Sequence, residues 1–231
     1  MTAANETGET LDAIESAGLK ILQHRRGYRF CVDALLLADF AQASVGRGPF
    51  IDLGTGSGVI ALMLAKATGQ RGVGVELQPS LADLARRNAA LNGLAGTVEV
   101  VEADWKALRG RFAPGTFRCA VTNPPFFPVS DGRVNPDGER ALARHETAGS
   151  LGDAAEAARW LLKDGGSLCA VFPAVRLCDL LAEFSRCKLR LRRLRFVHPQ
   201  AKLPANLILA EGVKNSPRTR PEVLSPVILQ A

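Results

Sequence analysis

The sequence has no paired cysteine pattern. Its five cysteines (Cys31, Cys119, Cys169, Cys178 and Cys187) form no C-x-x-C unit and keep no metal-ligand spacing with the three histidines. A zinc module or a disulfide scaffold is therefore excluded as the organising feature, and no metal site is expected. Scattered thiols in odd number, with Cys119 and Cys169 inside apolar runs, read as small core residues in a reducing compartment. No apolar run approaches the length of a membrane span, and the polar, acidic N-terminus lacks the character of a secretion signal. Internal repeats and low-complexity tracts are missing too. These absences leave a globular protein, expected in the cytoplasm.

What is present is ordinary in amount and uneven in distribution. A chain of 231 residues, 47% hydrophobic and 23% charged, suits one α/β domain with a substantial core. The net charge of +6 points to a polyanionic partner. From Lys188 onward, Lys188, Arg190, Arg192, Arg193, Arg195, Lys202, Lys214, Arg218 and Arg220 stand against only Glu211 and Glu222. Leu189 to Arg195 alternates apolar residues and arginine over part of its length. It reads either as a phosphate-binding strand face or as a solvated edge whose charges prevent aggregation.

Residues 1–18 show little apolar periodicity and read as a flexible segment that frays or forms a short strand or helix at its end; a single domain is expected over 19–231. Leu19 to Gln23 has strand character, and Gly27 to Phe30 reads as a loop. Val32 to Ala41 reads as a buried helix with Asp33 near its start. The pattern then alternates. Strands are expected at Pro49 to Leu53, Gly72 to Glu76, Thr97 to Val101 and Arg118 to Thr122, and helices at Val59 to Ala67 and Ser80 to Leu91. Asn123 to about Ser150 reads as a long functional loop. A helix at Leu151 to Leu162, a strand at Gly166 to Phe172 and a helix at Val175 to Cys187 follow, then strands at Leu189 to Val197 and Asn206 to Val213. Such alternation implies an α/β fold with a parallel sheet wound on both faces, and the last strands are placed to add an antiparallel edge.

Between the second strand signal and its helix lies Asp52-Leu53-Gly54-Thr55-Gly56-Ser57-Gly58. The spacing is G-x-G-x-G, with an acid two residues before the first glycine, and differs from a dinucleotide fingerprint. A carboxylate there repels a pyrophosphate and suits a ligand bearing an ammonium or sulfonium group. Glu76 ends the next strand, where it can take two ribose hydroxyls. Asp104 follows the one after, within reach of an adenine amino group, with Trp105 beside it to pack on the ring. Each residue alone also reads as a plain turn or a solvated strand end. Three acids at three successive strand ends beside one glycine turn mark a ligand edge. S-adenosylmethionine carries all the matching groups.

The other chemical stretch is Val121-Thr122-Asn123-Pro124-Pro125-Phe126-Phe127. The prolines restrict Asn123 to extended backbone and remove two N–H donors. What results is a stiff projection with an amide, bare carbonyls and aromatic faces. The Asn123 amide oxygen and the Pro124 carbonyl can accept the two hydrogens of an exocyclic amine while Phe126 stacks on its ring. A rigid Asn-Pro turn is the plainer reading of the motif in isolation.

Together these residues resemble the class I methyltransferases, in chain order as well as in kind. The run Gly27-Tyr28-Arg29-Phe30 through Val32-Asp33-Ala34-Leu35-Leu36-Leu37-Ala38 is similar to the bacterial family that methylates N6 of adenine 37 in valine tRNA. Ala143-Arg144-His145-Glu146 and Glu211-Gly212-Val213-Lys214 fit it as well, and the similarity spans roughly Leu19 to Leu229. The resemblance implies a Rossmann-like fold with a mostly parallel seven-stranded sheet, S-adenosylmethionine as cofactor and tRNA as partner. It also implies catalytic roles for Asn123, Pro124, Pro125 and Phe126. Cofactor contacts are implied for Tyr28, Arg29, Phe30, Asp52, Gly54, Thr55, Gly56, Glu76, Leu77, Asp104, Trp105 and Asn123. Phe126 stands where adenine enzymes very often carry Tyr and guanine N2 enzymes often carry Phe. A guanine N2 or protein glutamine N5 methyltransferase therefore stays open beside the adenine reading, as does an RNA-binding module without catalysis.

Overall fold

The computed structural model describes residues 8–27, 29–124, 150–216 and 220–230; Tyr28, Pro125, Phe126, His145, the 143–146 run and Arg218 lie outside the described residues. In chain order the elements are β1 (Glu9–Ile14), β2 (Leu19–His24), α1 (Val32–Val45), β3 (Phe50–Leu53), α2 (Val59–Thr68), β4 (Gly72–Glu76), α3 (Pro79–Leu91) and β5 (Val98–Glu102). A 3-10 helix (Trp105–Gly110) follows, then β6 (Phe117–Thr122), α4 (Leu151–Leu161), β7 (Leu162–Pro173), α5 (Leu177–Arg186), β8 (Leu189–Gln200), β9 (Leu207–Lys214), β10 (Glu222–Val223) and β11 (Val227–Gln230). The strand order is β5-β4-β3-β6-β7-β9-β8. Strands β5 to β7 run parallel, and β9 is antiparallel to both its neighbours. This is the expected Rossmann-like sheet with its antiparallel edge, extended by two short strands, β10 and β11, on the outer side of β8.

Side-chain alternation divides the interior into two cores. Along β7, Cys169 and Val171 join the core under α1 and α2, while Leu168, Ala170 and Phe172 join the one under the 3-10 helix, α4 and α5. Both faces of the central strands are covered, so β3 is buried at every residue and reads as an unbroken apolar run apart from Asp52. The winding reverses between β3 and β6, and the crevice for a ligand opens beyond the C-terminal ends of these two strands. Ser150 and Asp153 form a capping box at the start of α4.

The N-terminal segment is a point of correction. Residues 9–14, read as part of a stretch that is flexible or forms a short strand or helix at its end, form the six-residue strand β1 and pair antiparallel with β2. Helix α3 anchors this hairpin. Asn88 Oδ1 accepts the N–H of Leu22 and its Nδ2 donates to the Leu22 carbonyl, and Asn92 makes the same two bonds to Lys20. Four residues of helix rise about 6 Å, and two residues of strand about 6.7 Å. Two asparagines one turn apart can therefore stand in for a missing neighbouring strand. Arg87 adds a two-pronged ion pair to Glu9.

The basic strand is the second correction. Arg192 and Arg193 both turn to Glu211 of β9, a fully buried carboxylate that also accepts hydrogen bonds from Ser44 and Ser167. A bulge between Leu191 and Arg193 allows this, setting two residues of β8 against one of β9. Arg193 lies over the Phe40 ring at 4.7 Å and is only 16% exposed. Nor is β8 a solvated edge, since β10 and β11 cover it. Burial pushes the Glu211 carboxyl up, but hydrogen bonds from Ser167, Arg193 and Ser44 outweigh it and hold the group below its ordinary value of 4.5.

Removing one partner from this cluster leaves a buried charge undercompensated. Arg193→Gln is expected to lower the unfolding free energy by about 3 kcal/mol, with a smaller loss for the more exposed Arg192→Gln. A depressed folded pKa contributes stability above 4.5, and that contribution is lost as pH falls through the folded value. Urea denaturation at neutral and acid pH checks both points: the gap between wild type and Arg193→Gln narrows in acid.

Candidate active site

Every acid expected to face the cofactor sits at the C-terminal edge of the sheet. Asp52, within β3, is fully buried. Its Oδ2 accepts the Thr55 hydroxyl at 2.7 Å, and its Oδ1 has no hydrogen-bond partner among the described residues. Burial raises its pKa from 3.8 to about 7, against the Thr55 hydroxyl and the Ala61 N–H at the start of α2, with Glu76 adding repulsion. Glu76 ends β4, also buried. Its Oε2 accepts the Gly56 N–H at 2.8 Å and its Oε1 the Gln78 N–H at 2.9 Å. Burial raises this carboxyl too.

The glycine turn is tied to the next strand. The N–H groups of Gly54 and Thr55 both donate to the Val75 carbonyl at 2.9 Å. Gly54 has φ of 80°, and a Cβ there would stand 2.9 Å from the Trp105 ring. Trp105, 7% exposed, is thus a floor beneath the turn and part of the core rather than an open stacking face. Asp104 accepts the Lys106 N–H and caps the 3-10 helix, remaining half-buried at the strand edge. Leu77, 42% exposed, presents an apolar surface just after Glu76.

Asn123 directly follows β6. The Thr122 hydroxyl donates to the Leu53 carbonyl, joining the ends of β6 and β3, and Asn123 Nδ2 lies 3.4 Å from Asp33 Oδ2 in the first turn of α1. The Arg29 guanidinium donates to Asp12, Thr10 and the His24 carbonyl and so locks the hairpin to the segment that enters α1. Phe30 is half-buried against the core, its N–H donating to Gln23.

Asn88 escaped the sequence reading, and so did the contact made by Asp33, which was placed only near the start of its helix and in the family-like run. Asn88 Nδ2 also donates to the Ser57 carbonyl and ties hairpin to glycine turn; its i, i+4 spacing from Asn92 was the only available signal. Asp33 reaches Asn123 across 90 positions, and no local pattern announces such a contact.

The residues fit a cationic ligand bearing hydroxyls. Asp52 has an orphaned buried oxygen, and Glu76 spends part of its accepting capacity and keeps lone pairs for a diol. A folded pKa above the unfolded one stabilises the ligand-free fold below pH 3.8, and that contribution is lost as pH rises through about 7. A bound cation reverses the preference. S-adenosylmethionine affinity is therefore expected to rise with pH through about 7, with proton release, in calorimetry across buffers of different ionisation enthalpy. Asp52→Asn should abolish the pH dependence and weaken binding about tenfold or more, while leaving the ligand-free protein no less stable at pH 8.

A family model described as a methyltransferase domain matches residues 50–135. A tRNA1(Val) (adenine(37)-N6)-methyltransferase from Porphyromonas gingivalis is 36% identical over 158 residues, covering 66% of this chain and 61% of the relative. The protein of that name from a second strain is 33% identical over 185 residues, covering 76% and 72%. One from Trichodesmium erythraeum is 30% identical over 194 residues, covering 83% and 80%. The chain thus spans less than two thirds of the first of these relatives and more than that of the other two. A solved structure described as a predicted O-methyltransferase from Agrobacterium tumefaciens shares the fold at a TM-score of 0.65, over 85% of this chain and 86% of that one, with 23% identity. Geranyl diphosphate C-methyltransferase from Streptomyces coelicolor, solved with S-adenosyl-L-homocysteine, does so at 0.58 over 78% and 77%, with 14% identity. With 33% identity over 72% of one relative and 30% over 80% of another, on a sheet whose acids stand at successive strand ends, the chain belongs to the tRNA1(Val) (adenine(37)-N6)-methyltransferase family.

Proposed function

We propose that the chain transfers a methyl group from S-adenosylmethionine to N6 of an adenine in tRNA, at position 37 of valine tRNA as its relatives are named. The observation that carries this reading is the position of Asn123. It stands at the switch-point crevice between β6 and β3, joined to the strand of Asp52 through the bond from Thr122 to Leu53. A base amine held by the Asn123 oxygen and the Pro124 carbonyl therefore meets the ligand at the edge where Asp52 and Glu76 bind it. S-adenosylmethionine would supply an electrophilic methyl group to that amine, leaving S-adenosylhomocysteine as the other product, and the proton the amine gives up would pass to water.

The chain's own residues orient and stabilise. Asp52 faces the cationic end of the ligand, Glu76 its ribose and Asp104 its adenine amine, with Tyr28 and Phe30 as neighbours of the methionine end by family resemblance. Asn123 and Pro124 accept the substrate hydrogens and turn the nitrogen lone pair outward. Phe126 stacks on the flipped base, an extrusion that costs least in a single-stranded loop.

The placement of the basic residues supports an RNA path away from the start of β8. Strand β8 runs parallel to β6 and β7, so Lys188 and Arg190 at its start lie at the sheet edge opposite Asn123. Lys202, after its end, is exposed on the catalytic side. Arg25 and Arg26, also exposed, share a cavity of about 390 Å³ with Ser80 at the start of α3, again on that side. These cations favour phosphates near the target base.

Mass spectrometry of nucleosides from tRNA incubated with protein and cofactor tests the base, with N6-methyladenosine expected; N2-methylguanosine, or methylated protein alone, overturns the reading. Asn123→Ala should lose about a hundredfold in turnover, the scale for one oriented polar group at a reacting centre, and far less in cofactor affinity. For the RNA path, joint replacement of Arg25 and Arg26 by Gln should make tRNA binding less salt-dependent, by about 0.7–0.9 in slope per lost phosphate contact. The corresponding Lys188 and Arg190 double variant should leave the slope unchanged in filter binding.

A further inference from the structure

Asp33 occupies the first turn of α1, where an acid favours the helix N-terminus whatever else it touches. Two observations exceed that role. Its Oδ2 lies 3.4 Å from Asn123 Nδ2. Its Oδ1 is buried with no partner among the described residues, so the carboxylate is not consumed by the free N–H groups of its own helix.

We propose that Asp33 is a positioning residue for methyl transfer, holding the Asn123 amide with its nitrogen toward α1 and its oxygen toward the substrate amine. This rests on the reading of Asn123 as the group that meets that amine. A carboxylate only accepts hydrogen bonds, so the side of the amide facing Asp33 is the NH2 side. The two ends of an amide are nearly alike in shape, and sterics alone do not choose between them. In the flipped orientation Asn123 would offer N–H to the N–H of the substrate, donor against donor. Donation to a charged acceptor also polarises the amide and strengthens its oxygen as an acceptor. As the substrate nitrogen gains positive charge, a negative group directly behind Asn123 stabilises it. The 3.4 Å separation suits a contact that shortens when substrate engages the other end of the amide.

A double-mutant cycle with a role swap tests this. Asp33→Asn should lower kcat about 10- to 100-fold, the scale for losing a hydrogen bond to a charged group. Its effect should disappear in the Asn123→Ala background. The swap, Asp33→Asn with Asn123→Asp, restores one donor and one acceptor in reversed places and keeps the total charge. It should regain at least tenfold over Asp33→Asn alone. If the two losses multiply, or the swap stays at the level of the worse single variant, Asp33 does not act through Asn123 and the proposal fails. Urea unfolding of the ligand-free wild type, Asp33→Asn, Asn123→Ala and their double variant gives a readout without catalysis. The unfolding constants should show a coupling of about two- to tenfold, and additive effects overturn the pairing. Should the wild type methylate no nucleobase amine, the functional reading falls while the unfolding cycle still decides the pairing.

Discussion

Asp52 stands one residue before the end of its strand and Glu76 ends the adjacent parallel one; burial pushes both carboxyls toward their neutral forms, and Glu76 adds to the cost of charging Asp52. Such a pair is stable in a fold only where something opposes it. Here the opposing groups are backbone N–H donors of the glycine turn and of the loop after β4, together with the Thr55 hydroxyl. They compensate in part, and the remaining deficit at Asp52 is what the proposed cationic ligand would relieve. The turn geometry, the floor made by Trp105 and the joining of β3 to β6 at Thr122 all serve to hold these carboxylates at one edge.

The same chain contains a buried carboxylate treated in the opposite way. Glu211 has two guanidinium partners and two hydroxyls, and its pKa falls where that of Asp52 rises. The contrast separates a structural charge from a binding one: compensated charges fasten strands, and undercompensated ones are left for a ligand. The bulge that brings Arg192 and Arg193 together to Glu211 also turns both guanidiniums onto a buried carboxylate, leaving Arg193 16% exposed and Arg192 36% exposed.

The hairpin extends this logic to the mouth of the site. Asn88 joins β2 to the glycine turn, Arg29 joins the hairpin to the segment entering α1, and Asp33 in α1 reaches Asn123. A chain of side-chain bonds thus runs from the N-terminal residues to the group proposed to meet the substrate.

The alternation of elements, the glycine turn, the acids at strand ends and the Asn-Pro-Pro projection were legible in the sequence because each is local. Periodicity, glycine conformation and proline restraint depend on neighbours along the chain, and the order of strands in a wound sheet brings their C-terminal ends to one edge. Arg192, Arg193, Arg29, Trp105 and Asp33 were decided elsewhere. Each has its role set by a partner far away in sequence: Glu211, Asp12, Gly54 and Asn123. A run of arginines looks the same whether it faces phosphates or a buried carboxylate. The chain by itself determined which chemistry is present and at which edge it gathers. Only the packed structure decided which charges are compensated, because compensation depends on distance and burial, and these exist once strands and helices have met.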